Sequence, residues 1–139
     1  MADLIAIEEA RRRVLETVRP LPDEPVAVTE ALERVLAEDV ESAISVPPFD
    51  SSAMDGYAVI AGEAAELEVI GEASAGHPAT MALRPGAAIA ISTGAAVPRG
   101  ATAVVPVEGT EPVRADAVRV PVTEPGDNIR RAGEDIAAG

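Results

Sequence analysis

The sequence contains no cysteine and no lysine, a single histidine, and two aromatic residues in all, Phe49 and Tyr57. Each scarcity removes a class of chemistry. Without cysteine there is no disulfide framework, no thiolate zinc site and no cysteine nucleophile. All eleven basic residues are arginine, which excludes Schiff-base lysine chemistry and the lysine of a Walker phosphate loop. One histidine, His77, excludes a multi-histidine metal site within one chain. Positive charge is also in deficit: the net charge is −13 and the pI is near 4.3. Nucleic acid and anionic membranes would be repelled by most of such a surface. The first residues, Met1 to Glu9, lack a basic segment followed by an apolar one, and no run approaches the length of a bilayer. The expectation is a soluble, cytoplasmic protein.

The 139 residues suffice for one ordinary domain or two small ones, with a core built from Ala, Val, Ile and Leu because rings are so few. Leu4, Ile7, Arg11, Val14, Leu15 and Val18 recur at helical spacing, with Asp3 placed to cap the start and Pro20 and Pro22 to end the helix. The Arg11–Arg13 run, with glutamates one turn away, reads as a solvated helix face. Val26–Val28 is a short strand candidate, Thr29 a cap for a second helix through Ala31, Leu32, Val35 and Leu36, and Ala37–Val46 an extended stretch. Beyond Pro47 and Pro48 the character changes. Apolar runs at Tyr57–Ile60, Leu67–Ile70, Ala87–Ile91, Ala103–Val107 and Ala117–Val122 alternate with Gly/Pro turns. This pattern predicts an α+β, mostly β fold: a helical N-terminal arm, residues 1–45, and a small β-barrel or sandwich-like domain, residues 46–133. Residues 134–139 read as the start of a return to the first part.

Three oxygen-rich segments stand out. In Met54-Asp-Gly-Tyr57 the Asp-Gly pair is a common turn solution, since Gly accepts positive φ and Asp bonds the turn backbone; a functional carboxylate is the other reading. Asp50, following Pro-Pro, reads as a turn residue. Ser92-Thr-Gly94 ends an apolar strand and either terminates it or presents hydroxyl and N–H groups to a ligand. Asn128–Asp135 brings two arginines and two acids around a glycine, suited to phosphate, to a divalent cation, or only to internal ion pairs. His77, in Gly-His-Pro, reads as a loop residue. A hydrolase elbow is absent, because Gly71-Glu-Ala-Ser-Ala-Gly76 has the wrong spacing, and no dinucleotide-binding glycine motif occurs. The residues alone stop short of a reaction.

Taken in order, Pro47–Val59, Gly71–Gly76, Pro85–Pro98, Gly100–Val105 and Pro125–Ile136 resemble the N-terminal region of the MoeA family. These are the molybdopterin molybdenumtransferases, and the family includes the C-terminal domain of gephyrin. Ile7–Ala10 and Arg34–Val40 extend the likeness over nearly the whole chain. The resemblance implies the last step of molybdenum cofactor assembly. Adenylylated molybdopterin, the product of a molybdopterin adenylyltransferase upstream, loses its adenylate and takes up molybdate with the help of Mg²⁺. It implies catalytic positions at Asp55, Thr93 and Asp135, with Ser52, Gly94 and Glu134 beside them as cofactor-binding neighbours, and Asp55 and Asp135 as metal ligands. It also implies a homodimer whose cleft lies between this region and a larger domain of the other subunit. That large α/β domain and a C-terminal β-domain have no counterpart here, so the expectation is the N-terminal portion of an insertase, inactive alone. The alternative is a non-catalytic dimerisation or protein-binding scaffold module of the gephyrin type.

Overall fold

A computed structural model describes residues 4–139, which divide into two units, Met1–Val40 and Glu41–Gly139. The first contains helix α1, Ile7–Thr17, and a short 3-10 turn at Val28–Glu30. The predicted apolar periodicity produces α1, but none of its residues is buried. Its support is local: Arg12 pairs with Glu9 at 2.8 Å and also with Glu16, and Arg13 pairs with Glu9 at 2.6 Å. The arginine run is therefore a solvated, ion-paired face, as its composition predicts. Its N-cap position is Ala6, without a side-chain cap, and Asp3 lies outside the described residues.

Two expectations for this unit are corrected. No strand forms at Val26–Val28, and no α-helix forms from Ala31 to Leu36; Thr29 lies inside the 3-10 turn and caps nothing. Glu33 sits at φ 64, which breaks a helical path, and Leu32, Val35 and Leu36 stay exposed. A short helix with no packed face does not recover the cost of its nucleation.

The second unit carries eight strands: β1 Ser51–Ser52, β2 Gly56–Val59, β3 Ala65–Ala73, β4 Ala87–Ile91, β5 Ala103–Pro106, β6 Glu111–Arg114, β7 Ala117–Val120 and β8 Ile129–Arg130. Six form one curled, half-barrel sheet in the order β5-β2-β4-β3-β7-β6, and β1 pairs with β8 separately. The fold is thus α+β and mostly β. All neighbours are antiparallel except β3 and β4, which run parallel through a crossover over residues 74–86, the length such a pair requires.

Through β2, β4 and β5 both faces of the sheet are buried, whereas β6 is exposed and β3 and β7 carry the exposed Glu66, Glu68 and Arg119. Ala58, Ile89, Ile91 and Val104 belong to one apolar cluster; their strand neighbours Val59, Ala88, Ala103 and Val105 belong to another. Successive residues of a strand point to opposite faces, so strands buried on both sides read as unbroken apolar runs. Apart from Pro98, the buried apolar side chains among the described residues are all Ala, Val, Ile or Leu. β6 escaped prediction because it is an exposed edge strand, Glu-Pro-Val-Arg, with Pro112 where no further partner needs an N–H. The opposite edge, β5, is closed by a loop: Val104 N–H donates to Asp127 O at 2.9 Å, and the Asn128 side-chain amide donates to Val104 O at 2.8 Å.

Candidate functional site

The three oxygen-rich segments of the sequence are stitched together by backbone. β1 lies against β8, with Ser51 opposite Arg130 and Ser52 opposite Ile129. On its other side, Ser52 N–H donates to Ala95 O at 3.0 Å and Gly94 N–H donates to Ser52 O at 2.8 Å. A two-residue strand therefore holds the turn after β4 and the loop after β8 at once.

Beyond β1 the chain turns on Ser52. Its hydroxyl donates to Met54 O at 2.5 Å and accepts Met54 N–H at 3.3 Å, which sets Asp55 at the entrance to β2. Ser52 itself is 1% exposed, so it lies beneath the surface that carries Asp55. Gly56 follows, and the reason for glycine differs from the expected one. Its φ is not positive; instead an added Cβ would lie 1.9 Å from Val105 O on β5. The backbones approach too closely there for any side chain. Gly94, by contrast, is a true left-handed turn residue at φ 78.

Asp55 and Thr93 meet across this junction. Thr93 N–H donates to Asp55 Oδ1 at 2.6 Å and the Thr93 hydroxyl donates to the same oxygen at 2.9 Å. Two donors on one carboxylate oxygen favour the charged form, and the pKa of Asp55 lies below the ordinary carboxylate value, chiefly through the backbone N–H and then through the hydroxyl. Asp55 is thus an anion at neutral pH. Its Oδ2 has no hydrogen-bond partner among the described residues. With its proton directed at Asp55, the Thr93 hydroxyl presents lone pairs outward. Both side chains are exposed.

The loop after β8 forms a second group. Asp135 pairs with Arg130, which raises the arginine's pKa. Glu134 accepts Arg131 N–H at 2.8 Å, closing the turn. Asp135 N–H donates to Val46 O at 3.0 Å and Gly133 N–H to Pro47 O at 2.8 Å, anchoring the loop to the segment before β1. One contributor was missed in the sequence. Asp50 accepts Arg131 Nη1 at 2.6 Å and Ala132 N–H at 2.9 Å. Those donors lower its pKa, the backbone N–H most. Nothing near Asp50 in the chain announces partners 81 and 82 residues away.

Asp55, Thr93, Ser52 and Gly94 therefore come together, and Glu134 and Asp135 form a neighbouring group joined to the first through β1 and β8. No common donor or arginine bridges the carboxylates of Asp55 and Asp135 among the described residues, the first bonding Thr93 and the second Arg130. Among those residues no three His, Cys, Asp or Glu side chains gather as a metal cage. His77 closes a small turn through backbone bonds with Ser74 and is exposed.

Comparison with known proteins matches residues 5–139 to the family model of the MoeA N-terminal region, domains I and II. The chain is 43% identical to molybdopterin molybdenumtransferase 2 of Mycobacterium tuberculosis, over 96% of its own length and 35% of that protein's. Gephyrin of Dictyostelium discoideum is 30% identical over 99% of the chain and 22% of that protein. Among solved structures, the molybdopterin biosynthesis MoeA protein of Pyrococcus horikoshii OT3 superposes with a TM-score of 0.79 at 37% identity, covering 99% of this chain and 38% of that one. The chain spans about a third of the length of the transferase relative it matches. A family match over almost every residue, with the same fold, leaves one conclusion: this chain belongs to the MoeA family, as its N-terminal region.

Proposed function

We propose that this chain supplies the acidic part of a composite site that inserts molybdate into adenylylated molybdopterin. The observation that carries the reading is the Asp55–Thr93 pair. Two residues from motifs 38 positions apart are brought together, exposed, with one carboxylate oxygen held and the other unpartnered among the described residues.

The donor set is one that Mg²⁺ could use. That ion is held by one or two carboxylates with water and substrate phosphates completing its shell. Asp55, anionic and open at Oδ2, fits such a role. Asp135 also keeps Oδ2 without a partner among the described residues, but the Arg130 guanidinium on its Oδ1 would set a positive charge beside the ion, so it fits the role less well. Asp55 is the residue to hold the ion, and Asp135 serves by fixing Arg130. Held by Asp55, the ion would supply charge neutralisation for substrate phosphate oxygens. Thr93 keeps Asp55 ionised and oriented, and its outward lone pairs suit it to position a water. Arg130, steadied by Asp135, offers fixed positive charge to an oxyanion.

The same reading carries a homodimer in the cytoplasm, a supply of adenylylated substrate from an adenylyltransferase, and residues 1–45, 46–133 and 134–139 as arm, β-domain and return. In the complete gene product, Asp55→Asn should abolish or strongly reduce molybdate insertion while leaving the fold intact, since the amide oxygen can still accept from Thr93. Wild-type turnover by that variant sinks the catalytic role.

A second reading is a non-catalytic dimerisation or protein-binding module. The similarity to gephyrin and the exposed apolar side chains of α1 favour it. Self-association without any turnover in the wild-type gene product would select it.

A further inference from the structure

We propose that Asp50 is a positioning residue for the insertion reaction, tying together the three segments that carry Asp55, Thr93 and Asp135. It rests on the molybdenum reading above. Asp50 holds each segment by a different bond. Its carboxylate spans the turn after β8, one oxygen accepting Ala132 N–H at 2.9 Å and the other Arg131 Nη1 at 2.6 Å. Its carbonyl accepts Val97 N–H at 3.0 Å, fixing the far end of the turn that starts with Thr93 and Gly94. Its own peptide leads directly into β1 and so to Asp55.

The arrangement is better suited to geometry than to stability. The Asp50 and Arg131 side chains are 41% and 60% exposed, and an exposed pair of this kind adds little to folding. What the carboxylate does provide is direction. With both oxygens engaged by different groups of one turn, the turn can neither roll about β8 nor slide along β1. Arg130 and Asp135 flank that turn, so their placement relative to Asp55 follows from it. A neutral side chain at position 50 leaves the Arg131 guanidinium without its anion and frees it to compete for Asp135 and Glu134 nearby.

The test uses the purified complete gene product with adenylylated molybdopterin and molybdate, comparing wild type, Asp50→Ala, Asp135→Ala and the double variant. Asp50→Ala should lower kcat by roughly 10- to 100-fold, the range usual for groups that orient a reacting residue, with KM little changed. The double variant should be no slower than the worse single one, because Asp50 acts through the segment that holds Asp135. A merely structural loss would instead multiply with the second substitution. Amide hydrogen exchange supplies a readout besides activity: Gly133 and Asp135 should exchange faster in Asp50→Ala, while Ala58 and Val105 stay protected. If Asp50→Ala loses that core protection, Asp50→Asn takes its place, since the amide keeps an acceptor for Ala132 and lacks only the charge for Arg131. Wild-type kcat in either variant, or multiplying effects in the double, overturns the role. Absence of turnover in the wild type overturns the molybdenum reading instead, and exchange still shows whether the tie exists.

Discussion

Leu15 in α1 and Ile89 in β4 are aliphatic side chains of nearly equal size, yet one is 56% exposed and the other 0%. The contrast runs through the two units. Residues 4–40 contain no buried position, and what order α1 has comes from its own hydrogen bonds and its Glu–Arg pairs. Residues 41–139 bury small aliphatic side chains on both faces of a sheet. Apolar periodicity is equally clear in both. It says which face an element offers; only packing turns that face into stability.

The largest effect is expected at Gly56. A valine there would drive its Cβ into the Val105 carbonyl, a backbone atom that cannot swing aside. Gly56→Val should cost more than the roughly 1–3 kcal/mol of ordinary overpacking, as urea unfolding of the sheet would show. An unchanged midpoint would mean that β2 and β5 are not so closely paired. Next in size is the matched pair itself. Ile89→Ala should destabilise by about 3 kcal/mol through lost burial and an unfilled cavity. Leu15→Ala, removing an exposed side chain from a helix, should stay within about 0.5 kcal/mol. Equal losses at both sites would erase the distinction between the units.

Smaller effects belong to the carboxylates. Asp50 and Asp55 both have pKa values below their ordinary range, so the folded state favours their ionised forms. Their contribution is fully present above the unfolded carboxylate pKa of about 4 and is lost as pH falls through the lower folded values. Thermal melts taken from neutral pH downward should therefore fall away on the acid side. Asp55→Asn and Asp50→Asn should each flatten that fall. The smallest effect lies in α1. Arg12→Ala should reduce helicity slightly in low salt, and about 1 M salt should remove the difference, because exposed pairs are screened.

Legibility in the sequence followed the range of the interactions. β2, β4 and β5 could be read because two-sided burial leaves short unbroken apolar runs such as Ala-Ala-Ile-Ala-Ile, and β7 could be read although the exposed Arg119 interrupts its run. β1 and β8 could not, having two residues each and depending on one another across the domain. The expected helix at Ala31–Leu36 had the right pattern and no partner surface, and it did not form. At the site, Asp55 and Thr93 are candidates in the sequence chiefly through resemblance, whereas Asp50 reads there only as a turn residue because its partners lie 81 and 82 positions on.

The sequence by itself determined the absences, the family, the aliphatic make-up of the core and the order of most strands, all of which depend on residue types and local periodicity. Tertiary structure alone decided that Gly56 is needed for a close crossing and not for a turn. It also decided that Ser52 lies beneath the site, that Asp135 faces an arginine, and that Asp50 joins three distant segments. Each of these depends on which backbone groups are brought within about 3 Å of one another, the reach of a hydrogen bond. Pairing across long stretches of chain sets that, and no local pattern records it.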